Sequence, residues 1–87
     1  MKPGALVYKV TIHLLEGDPV RFQTELGLDE IRNLGGEIET AMEAKYLGIQ
    51  LPGRLRLIPS HNIREIEIEP APNVLIAHVI HRAEELA

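Results

Sequence analysis

Ser60, His61 and Asn62 put a hydroxyl, an imidazole and a carboxamide side by side, inside the stretch RLRLIPSHNIREIEIEP (54–70). A serine next to a histidine first suggests nucleophilic catalysis. That chemistry needs the imidazole oriented by a third group and the developing oxyanion met by nearby donors. No G-x-S-x-G elbow frames Ser60. The trio fits better as a polar corner: Pro59 ends one strand, Ser60 and Asn62 bond neighbouring backbone, and Ile63 returns to the core. Any further role for the corner is binding, because Ser60, His61, Asn62 and Arg64 offer donors and acceptors on an exposed loop.

Histidine also suggests metal. His78 and His81 share one face if residues 73–87 are helical and lie on opposite faces if they form a strand. Even on a helix two imidazoles need further ligands, and a chain without cysteine supplies no thiolate. Glu84 or Glu85 could contribute, but H-E-x-x-H is absent, so no metal site is expected. A metal-binding or pH-responsive histidine pair stays behind the other readings. Glu65, Glu67 and Glu69 line one strand face at steps of about 7 Å. Arg54 and Arg56 alternate outward on the preceding strand, so cross-strand ion pairs of about 0.2–1 kcal/mol each are expected. Glu37, Glu39 and Glu43 read as the solvated face of a helix. With no P-loop, no dinucleotide-binding glycine signature and no zinc-ligand set, neither an enzyme nor a cofactor is expected.

The elements carrying these residues follow from periodicity. Within 5–15, Tyr8, Val10, Ile12 and Leu14 alternate with Lys9, Thr11 and His13. Glu16-Gly17-Asp18-Pro19 is turn chemistry, after which Val20, Phe22 and Thr24 alternate with Arg21, Gln23 and Glu25. The two runs predict a β-hairpin. A helix follows from Leu28 or Asp29, with Ile31, Leu34, Ile38 and Met42 on one face, Gly35 among them and Ala41 at its edge. Asp29 and Glu30 suit its positive end, and Gly48 is placed to stop it. Gly35 and Gly36 each cost about 1 kcal/mol relative to alanine, which leaves open a break before Glu37. YLGIQLPGRLRLIP (46–59) reads as strand, Pro52-Gly53 turn and strand, with Leu55 and Leu57 inward and Arg54 and Arg56 outward. Ile66 and Ile68 face inward against the glutamates, and Pro70-Ala71-Pro72 ends that run. NVLIAHVIHRAEELA (73–87) fits strand or helix; the reading is a strand through Ile80 and a short helical tail from RAEEL. The order predicts one α+β domain over 1–87, a mainly antiparallel sheet with one main helix packed on one face.

Composition narrows the partners. Hydrophobic residues make up 45% of the chain, which favours a compact globule over disorder. Nine basic against thirteen acidic residues, a net charge of −4, disfavour DNA and anionic membranes. The run ALVYKVTIHLL (5–15) is broken at every second position, as a strand is and a leader's apolar core is not. No stretch reaches the length of a membrane span, and the absence of cysteine fits a soluble, cytoplasmic protein. Lys9, Thr11, His13, Arg21, Gln23 and Glu25 form the widest polar surface available to another molecule. The expectation is a small non-catalytic interaction or accessory domain, homodimeric, meeting a protein partner through its sheet or an edge strand.

LRLIPSHNIREIEIEPAP (55–72) also resembles the second half of Sm-like RNA-binding domains, in which a strand, a short polar turn with a basic residue and a histidine, and another strand follow in order. His61, Asn62 and the spacing of the flanking aliphatics carry the resemblance. It implies RNA as the alternative partner, bound by an oligomeric ring.

Overall fold

A computed structural model describes residues 4–72, 80 and 82–86. Within them the order is β1 (Leu6–Leu14), β2 (Val20–Leu26), α1 (Leu28–Ala44), β3 (Tyr46–Leu51), β4 (Arg54–Pro59), a 3-10 turn (Ser60–Asn62) and β5 (Ile63–Glu69). The class is α+β, with a three-stranded sheet ordered β2-β1-β5 and a separate β3–β4 hairpin, all antiparallel.

β1 and β2 form as their alternation dictates. Val10 pairs with Phe22 and Ile12 with Val20, while Gly17 takes the turn with a φ of 103° that a side chain would oppose. Tyr8, Val10, Ile12 and Val20 are buried, and Ile12 is wholly excluded from solvent. β5 adds to the other edge of β1, with Val10 opposite Ile68 and Ile12 opposite Ile66. The sequence here spaces Ile63 and Ile66 by three, which a plain strand would place on opposite faces. A bulge resolves the conflict: Leu14 pairs with Ile63 and His13 with Glu65, leaving Arg64 unpaired and both isoleucines inward.

The helix runs unbroken across Gly35-Gly36. Gly27 is the N-cap, its N–H donating to the Glu30 carboxylate at 3.0 Å, and Ile31 N–H donates to Gly27 O at 3.0 Å. The expected face turns inward but packs shallowly, since Ile31 is buried, Leu34, Ile38 and Ala41 are half-buried, and Met42 is exposed. The stop is not Gly48. The helix ends at Ala44, Lys45 turns the chain with a left-handed φ of 73°, and Gly48 lies within β3. Lys45 O accepts a hydrogen bond from Ser60 N–H at 2.9 Å, tying the helix end to the end of β4.

The hairpin overturns a second expectation. Leu47, Ile49, Leu51 and Ile58 form its inner face, so parity sends Arg54 and Arg56 to the same side and Leu55 and Leu57 outward. Leu57 and Ile58 are adjacent and both apolar, and Ile58 takes the core position, only 4% exposed. The core joins both sheets: Val10, Ile12 and Val20 meet Ile49 and Ile58, with Phe22, Leu47, Leu51, Ile63, Ile66 and Ile68 packed around them. The helical tail is a third correction, because residues 82–86 are exposed and non-helical, in keeping with the cost of nucleating so short a helix. The expected strand over 73–80 lies, apart from Ile80, outside the described residues. No helix among the described residues is long and apolar enough to cross a membrane.

Candidate functional site

The eight residues singled out from sequence fall into two groups. Lys9, His13, Arg21 and Gln23 share the outer face of the three-stranded sheet. Thr11 stands between Arg21 on β2 and Glu67 on β5, and Lys9 between Gln23 and Glu69. Residues so paired have Cβ atoms about 4.5–5.5 Å apart, so the face is a graded charge surface. His13 reaches diagonally to bond the Glu67 carboxylate. The glutamate row therefore lies beside Lys9 and His13 of β1, and the expected pairing with Arg54 and Arg56 does not form, because β4 pairs with β3 and β5 pairs with β1. A shallow depression of about 290 Å³ lies over Lys9, Thr11, Arg21 and Gln23.

Ser60, His61, Asn62 and Arg64 gather at the end of that sheet. Asn62 is occupied structurally. Its Oδ1 accepts from Glu16 N–H at 2.9 Å, its Nδ2 donates to Glu16 O at 3.1 Å, and its own carbonyl accepts from Leu15 N–H at 2.8 Å. These three bonds clasp the corner to the β1–β2 turn. Ser60 is half-buried, while His61 and Arg64 are exposed, Arg64 at the bulge opposite His13 and Leu14. No hydrogen bond among the described residues orients His61 toward Ser60 as a base, and the trio is built as a corner. His78 and His81 lie outside the described residues, among which no cluster of three or more metal-ligating side chains occurs.

Two features were not anticipated. The first is the outer face of the hairpin, where Tyr46 pairs with Pro59, Gly48 with Leu57 and Gln50 with Leu55. All six are uncharged, and Tyr46, Leu55 and Leu57 are 51%, 57% and 59% exposed. Gly48 leaves room for the leucines: a Cβ there would sit 3.3 Å from Leu57 Cδ2 and 4.0 Å from Leu55 Cδ1. The signal available in sequence was the apolar content of both parities in YLGIQL and RLRLIP.

The second is a cleft of about 340 Å³ between the inner face of the three-stranded sheet, α1 and β3. Tyr8, Phe22, Leu34, Ile38, Ile49 and Ile66 contribute to its walls, with Thr24 and Glu37 among the polar members. The helix that supplies one wall seats shallowly, with Leu34 and Ile38 half-buried. The volume falls at the lower end of the roughly 300–1,000 Å³ range of small-molecule sites. Comparison of the chain with protein-family models, with curated proteins and with solved structures gave no match.

Proposed function

We propose that the protein is a small non-catalytic cytoplasmic interaction domain that works as a homodimer, joined through the outer face of the β3–β4 hairpin. The observation that supports this most is the uncharged row of Tyr46, Gly48, Gln50, Leu55, Leu57 and Pro59 in a chain of net charge −4. A two-fold contact places the same patch against itself. The outer sheet face sets Lys9 and Arg21 beside Glu65, Glu67 and Glu69, charges that a self-contact would have to desolvate, whereas the hairpin face brings leucine and tyrosine together with no charge to desolvate. Removing two exposed leucines and a tyrosine per chain from water supplies a hydrophobic driving force. A dimer built this way leaves the graded face of Lys9, His13, Arg21 and Gln23 open to a protein partner of complementary charge.

Light scattering on a sizing column, with absorbance read at 260 and 280 nm, tests the reading. The full chain should have twice its monomer mass, and Leu57→Glu should halve it while leaving the far-ultraviolet circular dichroism unchanged. A wild-type monomer at tens of micromolar, or a Leu57→Glu variant still dimeric, would remove the hairpin from consideration. A ring of several subunits carrying nucleic acid would instead favour RNA binding. For that alternative the sequence of β4, a turn with exposed His61, and β5 is the supporting observation, and His61 would be the first residue to replace.

A further inference from the structure

The cleft under the helix carries an inference independent of self-association. We propose that it binds a small amphiphilic amine, with the aliphatic body between sheet and helix and the ammonium group at Glu37. Aliphatic side chains from β1, β3, β5 and α1 form most of the wall, with Phe22 and Tyr8 as its aromatic members. No buried side-chain nitrogen or oxygen among the described residues lacks a hydrogen-bond partner, so the interior calls for no polar group from an occupant. The body is therefore apolar, and its volume of about 340 Å³ suits a chain of roughly ten carbons rather than a peptide helix.

The head group is set by charge. Among the described residues Glu37 is the one carboxylate lining the cleft, and no lysine, arginine or histidine lines it. It stands one turn after Leu34 and directly before Ile38, at the exposed edge of the helix face that forms the wall. It makes no ion pair with the described residues. Thr24, half-buried on the inner side of β2 and paired with Tyr8, adds a hydroxyl that accepts from an ammonium. An anionic head group would meet Glu37 with like charge, and a neutral one would leave the carboxylate unused.

Isothermal titration calorimetry of the full chain with decylammonium, decanol and decanoate, each below its aggregation concentration, decides the matter. Decylammonium should bind one per chain and about tenfold or more tighter than decanoate. Glu37→Gln should bring the two within about threefold while leaving decanol unchanged, since that exchange keeps the shape and removes the charge. Ile38→Trp should fill the cleft and abolish binding; because it risks misfolding, Leu34→Phe serves as the second filling variant, with thermal melting to show that each is folded. Leu57→Glu should bind decylammonium as the parent does, which separates this site from the hairpin face. Failure of all three probes to bind overturns the proposal. So does equal affinity for decanoate, indifference to Glu37→Gln, or loss of binding in Leu57→Glu.

Discussion

The three-stranded sheet and the β3–β4 hairpin are built from similar residues and reach different ends. In β1 and β2 the apolar side chains keep to one parity except at Val7, which is exposed near the start of β1, and the strands bury Tyr8, Val10, Ile12 and Val20 while presenting Lys9, Arg21 and Gln23 to solvent. In the hairpin both parities are apolar; one face supplies Ile49 and Ile58 to the core and the other leaves Leu55 and Leu57 exposed. A strand with one apolar face can only belong to a core. A strand with two has a side to spare, and that spare side is where association becomes possible.

Substitution can break this contrast or sharpen it. Ile12→Ala should have the largest effect, lowering stability by about 2–5 kcal/mol, because the residue is fully enclosed and the cavity cannot collapse in the middle of a sheet. Leu57→Ala, judged on monomer in urea melts, should stay within about 0.5 kcal/mol of the parent. Equal losses would mean the hairpin's outer face is not outer. Asn62→Ala removes both side-chain bonds that hold the corner to Glu16 and should cost about 1–2 kcal/mol; His61→Ala beside it should cost almost nothing. A larger loss at His61 would transfer the structural role to the imidazole.

Smaller effects come from the junctions. Lys45→Gly relieves a left-handed turn occupied by a side chain and should raise the denaturation midpoint, by about 0.5–1 kcal/mol in stability. A loss there would place the helix stop elsewhere. Replacing His13 and Glu67 singly and together should give a coupling below about 1 kcal/mol that shrinks with salt, since the glutamate is half-exposed. A coupling of several kcal/mol would mark the pair as part of a closed site instead.

What the sequence disclosed follows the same division. Strand β1 from Tyr8 onward, the Gly17 turn, β2 and the inward Ile66 and Ile68 of β5 were legible because period and parity agree there, whereas the bulge that turns Ile63 inward was not. The hairpin was legible as strand–Pro52-Gly53–strand but not in its facing: two leucines against one isoleucine is a vote that local pattern awards to Leu55 and Leu57, and packing against Ile12 awards to Ile58. The salt-bridge expectation failed for a topological reason. β4 and β5 are neighbours in sequence, but the turn at Ser60–Asn62 hands the chain to another sheet, so adjacency in the chain was not adjacency in a ladder. Gly48 looked like a helix stop because glycine favours the left-handed region, yet Lys45 took that conformation and Gly48 instead gave room to Leu57. Among the candidate residues, Lys9, His13, Arg21 and Gln23 do share a surface, as alternation required. The cleft belongs to no single stretch of chain, since helix, hairpin and sheet each supply only a wall.

The placement of β1 has a consequence for how the molecule comes into being. Among the described strands it comes first in sequence and yet lies in the middle of its sheet, with β2 beside it almost at once and β5 only when Ile63–Glu69 follow. Throughout synthesis of the helix and the hairpin, one edge of β1 carries unanswered backbone donors and acceptors, next to apolar side chains that have no cover. The nascent chain is thus adhesive from the completion of β2 until β5 docks. A chain released after Asn62 should aggregate under conditions where the full chain stays dispersed, a difference that turbidity would read directly.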